Sequence, residues 1–493
     1  MSDSKAIVAL FLVLTLLTAC AGAPSHGCSN GHQCVLDARS PSSPSLATHE
    51  QSGPLVGLAV SGGGSRSATF SEAVLEELAK LDIGEAPAPV SVLERVQYMS
   101  GVSGGSLSTA YFALNKPKKD VAVLTASGAL SKEYADFFQR YSKDMRTEWE
   151  ESLWGPLLSD GTGRAFKIAN KWDATIFGGN TFADLRRRET DGDSPYVILN
   201  GTSWDSGRRF LFTNLPRSEF SYRFVEETRK HVRASRLPEQ EKDLLDERLL
   251  PESDRFSPIT PEDINADLSS LKVAFAAATS ASVPLLIGPV LYSVGDVNCG
   301  QALCWHVGDG GMFDNQGVES LAQVFFGKLL TQPAPEPQGT ARPRKGLMIV
   351  IDGSYPMHDL NFGEADWVFS YLSKSPSRLS DIMEERALGY QLLLWSLLRA
   401  SSTDSNRVIP GPDQLQLVYL RHIDAAQAIA ARPQGLCKWG DAPQPVAVVA
   451  EKLRTIPTRF KVDPECDAPL LQRAAQELVA KNRQRLLDFF AKQ

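Results

Sequence analysis

The chain is predicted to be an α/β protein with helical insertions, on the strength of three glycine-marked turns. They are "GLAVSGGGSR" at 57–66, "YMSGVSGG" at 98–105 and "WHVGDGG" at 305–311, and each follows a short apolar run. The first two lead directly into segments with helical spacing. Strand, tight turn and helix therefore recur, which puts the turns at the carboxyl ends of the strands of one sheet.

The N-terminus is read first as a processing signal. Lys5, the apolar run "AIVALFLVLTLL" and "LTAC" ending at Cys20 form an export signal over residues 1–19, too short for a comfortable membrane span. "LTAC" followed by Ala21 resembles the lipobox of bacterial lipoproteins. That resemblance implies diacylation of Cys20, attachment to a membrane through this N-terminal anchor, and the periplasmic side of the outer membrane as location. An ordinary secretory cut near "AGA" at 21–23 is the alternative. Residues 20–54, rich in Ser, Pro, Gly and Ala, are expected to be a flexible tether.

The core is expected over 55–355. It opens with the strand "PLVGLAV" and a helix carrying Ala73, Val74, Leu75, Leu78 and Leu81. Residues 116–190 are expected to form a helical insertion whose aromatics, Trp149, Trp154, Phe166, Trp172, Phe177 and Phe182, either cover the site mouth or pack as a cap on the sheet. "PYVILNG" and "RRFLFTN" read as strands, and 214–265 as a second insertion, heavily charged over 226–255. "ADLSSLKVAFAAATSASVP" reads as a buried helix stopped by Pro284. The strand "LCWHVGDGG", the helix "GVESLAQVFFGKLL" and the strand "LMIVID" follow. Residues 356–493 are expected to be mainly helical and packed on the core, beginning with the amphipathic "LSDIMEERALGYQLLLWSLLRASS".

Composition narrows the partners. A net charge of -7 without a concentrated basic surface argues against nucleic acid. Apart from Cys20, the cysteines suit an oxidising compartment, and the sequential pairing Cys28 with Cys34, Cys299 with Cys304, Cys437 with Cys466 is the expectation among the connectivities they permit. Their spacings contain no CxxC pair, so no metal is expected.

Chemistry concentrates at the turns. Gly101-Val102-Ser103-Gly104-Gly105 fits G-x-S-x-G, a nucleophile elbow in which the serine sits on a strained strand-to-helix turn and its neighbours must be small. A glycine-rich helix entry also arises for steric reasons or for phosphate binding. Gly62, Gly63 and Gly64 follow a strand and precede a helix, so their amides are candidate oxyanion donors, with Arg66 close behind. Neither nucleotide-binding glycine pattern is completed there. Asp309, followed by Gly310 and Gly311 at a strand end, is the candidate base. His358 and His422 could complete a Ser-acid-His order, but neither lies in a glycine-marked turn.

Together "GGGSR", "GVSGG" and "GDGG", in that order, resemble the patatin-like phospholipases, over roughly residues 54–355. The likeness extends to "ATSASVPLLIGPV" and "YVILNGTSWDSGRRFLF". It implies the patatin-like three-layer α/β/α sandwich, a lipid or phospholipid substrate, no cofactor, and a Ser103–Asp309 dyad acting through an acyl-enzyme without histidine. Ser67, where the family often has glycine, and "SVPLLIGP", in place of a more aromatic run, depart from the pattern. The alternatives are a Ser-acid-His esterase on an α/β-hydrolase sheet, which needs His358 or His422, and a catalytically idle lipid-binding lipoprotein.

Overall fold

A computed structural model describes residues 28, 33–40, 53–84, 88–150, 161–220, 229–230, 232–245, 257–283, 287–295, 304–330, 345–354, 389, 410–411 and 413–491. The export signal with Cys20, the residues Trp154, Cys299 and His358, most of the charged 226–255 stretch and nearly all of the helix expected from 379 to 402 lie outside the described residues.

Ten strands form one mixed sheet: β1 (Gln33–Ala38), β2 (Leu55–Val60), β3 (Tyr98–Val102), β4 (Tyr196–Ser203), β5 (Arg208–Thr213), β6 (Ala266–Asp267), β7 (Val290–Val294), β8 (Cys304–Asp309), β9 (Gly346–Asp352) and β10 (Leu415–Arg421). Their order is β10-β9-β2-β3-β4-β8-β7-β1-β6, with β5 paired to β4. The five strands from β10 to β4 are parallel. Strand β8 then runs antiparallel to β4, with Gly201 opposite Asp309. A parallel neighbour would deliver its carboxyl end beside that of β4. An antiparallel one delivers its own end deeper, at Gly201, so Asp309 lies within the sheet.

The helices are α1 (Gly64–Ala79), α2 (Gly104–Asn115), α3 (Lys132–Met145), α4 (Gly161–Trp172), α5 (Phe182–Asp191), α6 (Val273–Ser280), α7 (Gly311–Asp314), α8 (Val318–Leu330), α9 (Val446–Arg454) and α10 (Asp467–Ala491), with shorter turns between. Alternation along β2 explains the layers: Val56, Leu58 and Val60 enter the larger core with α1, α2 and α10, while Leu55 and Ala59 face α8 in a second core. With both faces covered, the central strands read as unbroken apolar runs.

Three expectations need correction. Residues 33–38, expected inside the tether, form β1, which pairs with β7 and is strapped by the Cys28–Cys34 disulfide. The C-terminal region contributes a strand, β10, as well as helices. Strand β7 was not expected at all. The Cys437–Cys466 disulfide forms as expected, and Cys304 is disulfide-bonded too. Of the aromatic insertion, Trp149, Phe166, Trp172, Phe177 and Phe182 are buried in the larger core, the packing arrangement rather than the covering one.

Candidate active site

The elbow forms as its glycines require. Ser103 sits between β3 and α2 with φ 52° and ψ −121°, a left-handed conformation uncommon for a residue with a side chain. Any Cβ on Gly104 would collide with the carbonyl of Gly64, so the two glycine turns touch backbone to backbone. This is why the sequence leaves side chains out of both.

A hydrogen-bond hub holds the strained turn. The Ser280 hydroxyl donates to the Asn200 carbonyl at 2.5 Å and accepts from the Ser103 amide at 2.9 Å. With its one proton committed, its 2.7 Å contact with Ser106 makes the Ser106 hydroxyl the donor. Asn200 itself donates to the Ser100 hydroxyl and the Gly101 carbonyl and accepts from the Ser320 hydroxyl. The ends of β3 and β4 and the helices α6 and α8 are thereby tied together.

Ser103 and Asp309 meet here. Both are 6% exposed, and the Ser103 side chain comes near enough to Asp309 to favour its ionised form. Gly311 donates its amide to Asp309 Oδ1 at 2.7 Å. Burial pushes the Asp309 carboxyl up to about 6, against the opposing pull of the Gly311 amide and the Ser103 hydroxyl. A carboxyl with that value ionises near neutral pH and takes up protons more readily than an ordinary aspartate.

The oxyanion loop is partly as expected. Gly62 donates its amide to the Asn315 carbonyl at 2.8 Å, so it is not a free donor and leaves the expected set. The Gly63 and Gly64 amides donate to no acceptor among the described residues, and both glycines have positive φ, 132° and 59°. Arg66 is fully buried, and its guanidinium donates to the Gly353 carbonyl at 2.6 Å and the Ile456 carbonyl at 2.5 Å. Its side chain braces the loop from behind. The departure Ser67 is likewise structural: its hydroxyl donates to the Ser61 carbonyl at 2.5 Å and folds the first turn of α1 back on the strand end.

The histidines stand elsewhere. His422 is fully buried, with Nδ1 and Nε2 each 3.2 Å from a carbonyl, those of Asp352 and Leu453. Burial and the Arg66 charge push it down to about 4. His306 is exposed and bonded to Asp205. Among the described residues no group of His, Cys, Asp and Glu is arranged to hold a metal ion.

Sequence reasoning missed Ser280, Asn200 and Asn315, and it missed that Gly353, Ile456 and Arg459 wall the oxyanion loop. The first two lie within segments whose likeness to the family was visible. The last three had no local signal, because they reach the loop from the end of β9 and from the C-terminal region, far from it in sequence.

A serine in a strained strand-to-helix elbow, beside a buried carboxyl and across from amides that meet no acceptor among the described residues, has the geometry of the serine-nucleophile hydrolases as a class. The chain belongs within a particular family of them, the patatin-like phospholipases: that family's profile matches residues 58–322, more than half of the sequence. Among solved structures, human GIVD cytosolic phospholipase A2 in complex with methyl gamma-linolenyl fluorophosphonate inhibitor and terbium chloride is similar at 13% identity and a TM-score of 0.38, covering 90% of this chain and 60% of that one. The human enzyme without a named inhibitor gives 11% and 0.39, covering 89% and 60%. VipD from Legionella pneumophila gives 12% and 0.29, covering 97% and 73%. The chain thus spans less than two thirds of the human chains it resembles. Comparison with curated proteins finds no match.

Proposed function

We propose that the protein is a lipid acyl hydrolase that cleaves acyl esters with Ser103 as nucleophile and Asp309 as its base, held at a membrane by a lipidated Cys20. The observation that supports the reading is the placement of Ser103, in its strained elbow, beside the buried Asp309 carboxyl, with Gly63 and Gly64 amides that donate to no acceptor among the described residues.

The steps follow from those positions. Asp309 accepts the proton of Ser103 as Oγ attacks the ester carbonyl. The carbonyl oxygen gains charge, which the Gly63 and Gly64 amides and the N-terminal end of α2 stabilise. Asp309 returns the proton to the departing alcohol and leaves an acyl-enzyme. A water molecule, deprotonated by Asp309, then attacks the acyl carbon and releases the fatty acid with Ser103 restored. The raised value of Asp309 supports this role, since it narrows the gap between the hydroxyl and its base.

The test is a fluorophosphonate probe on the full-length protein, followed by a panel of acyl esters. Labelling at Ser103, lost in Ser103→Ala, supports the reading. Labelling that persists in the variant removes Ser103 from the role, and an unlabelled wild type without esterase activity leaves the idle lipoprotein in its place.

A further inference from the structure

At the opposite end of the sheet, a cavity of about 260 Å³ opens where β3 and β4 begin, with Gln97 and Tyr196 in its wall. Ser103 terminates β3 at the carboxyl end, so the cavity is separate from the candidate active site. Two polar groups in its lining have few protein partners among the described residues and are open to an occupant. Lys116, at the end of α2, makes no ion pair among the described residues, and its ammonium has one long hydrogen bond, 3.3 Å to the Pro117 carbonyl. Tyr134, on α3, is 3% exposed, and its hydroxyl, which solvent reaches, has no hydrogen-bond partner among the described residues. Lys116 is half-buried, so water reaches its ammonium only in part, and a tyrosine hydroxyl that enters a protein usually finds an acceptor.

The rest of the wall defines what would complete them. Leu93, Val96 and Phe112 supply an apolar side. Glu94 is exposed at the mouth, where its carboxylate accepts the Ser91 amide at 2.7 Å. Glu189 is buried, bonded to the Val197 amide and to Asn214, and pushed by burial up to about 8, so it is uncharged at neutral pH. It does not oppose an anion inside. Lys116, pushed down to about 8 by burial and by Arg188, carries its charge at neutral pH and is only partly solvated.

We propose that this cavity is a binding site for a small amphiphilic carboxylate, whose anionic head bonds Lys116 and the Tyr134 hydroxyl and whose apolar body lies against Leu93, Val96 and Phe112. The volume lies just below the range of roughly 300 to 1,000 Å³ usual for drug-sized ligands, which limits the occupant to a short chain.

Octanoate, octanol and inorganic phosphate are titrated calorimetrically against full-length Ser103→Ala, which removes the Ser103 nucleophile. Octanoate is expected to bind saturably, and Lys116→Met to weaken it about tenfold or more by removing a charge-assisted hydrogen bond. Tyr134→Phe, which keeps the ring and hence the fold, is expected to weaken it several-fold. Octanol and phosphate are expected to bind far more weakly, one lacking the head and the other the body. Absence of saturable octanoate binding overturns the proposal. So does equal binding by both single-site variants, the result of occupancy elsewhere, or equal binding of octanol, the result of a merely greasy cavity, or of phosphate, which would make it a plain anion site. None of these outcomes depends on whether Ser103 is a nucleophile.

Discussion

The two glycine turns that touch at the candidate site are held by different parts of the chain. The elbow at 101–105 is fixed by Ser280 and Asn200, both inside the span that matches the family. The oxyanion loop at 62–64 is fixed from outside that span: Gly353 and Ile456 accept from Arg66, Arg459 accepts from the Ser65 amide at 2.7 Å, and a Cβ on Gly64 would collide with the Arg459 carbonyl. The C-terminal region is therefore part of the site's construction. The nucleophile lies within the span that matches the family, whereas the shape of the anion-stabilising loop is completed by residues outside it.

The most severe break falls on the elbow. Ser103→Ala is expected to abolish ester hydrolysis with the fold intact, checked by turnover and circular dichroism. Asp309→Asn keeps the shape and removes the base, so a loss of about 100- to 10,000-fold in kcat is expected. Activity of the wild type should rise through a limb near pH 6, where Asp309 ionises. Imidazole ionisation shifts strongly with temperature and carboxyl ionisation hardly at all, so a limb that stays fixed on warming identifies the carboxylate.

The next break tests the loop's outside support. Arg66→Met leaves the Gly353 and Ile456 carbonyls without their donor, and displacement of the Gly63 and Gly64 amides should cost about 100- to 1,000-fold in kcat, the scale of a lost oxyanion donor, with KM nearly unchanged. Undiminished kcat in a folded Arg66→Met protein would make the C-terminal contacts mere packing. Ser280→Ala should have a smaller effect, about tenfold in kcat and about 1 to 3 kcal/mol in stability, since Asn200 still grips Gly101.

The smallest effect on turnover, and the sharpest on pH, comes from His422. His422→Ala should stay within a few-fold in activity, because both ring nitrogens face carbonyls away from Ser103. Its value of about 4 lies below that of an unfolded histidine, so the unfolded chain binds more protons and stability falls as pH drops from about 6.5 to 4. Asp309 has the opposite sign: its value of about 6 lies above that of an unfolded aspartate, so its contribution is present below about pH 4 and is lost as pH rises to 6. Asp309→Asn should accordingly gain up to about 3 kcal/mol at pH 8, and His422→Ala should flatten the acid limb of the stability profile, both read from denaturant unfolding at several pH values.

What could be read from the sequence divides along the same line. Ser103, Asp309 and the glycines announce themselves because a tight turn makes its demands on adjacent residues. The commitment of the Gly62 amide to Asn315, and the grip on Arg66 by Gly353 and Ile456, are set by tertiary approach and leave no local pattern. Strand β1 was hidden for the same reason. "QCVLDA" buries only three residues, Cys34, Val35 and Leu36, in a polar neighbourhood, and it is a strand because β7 and the disulfide to Cys28 hold it there.

That disulfide also sets a length. With the lipid on Cys20 that we propose, the first point fixed to the folded body is Cys28, eight residues on, rather than the start of β2 at Leu55. Eight residues reach about 30 Å at full extension, where 35 would reach about 120 Å. The leash is short, so the edge of the sheet bearing β1 would hang within about one domain radius of the bilayer, and lengthening the segment between Cys20 and Cys28 would change how far into the surrounding space the site can sample.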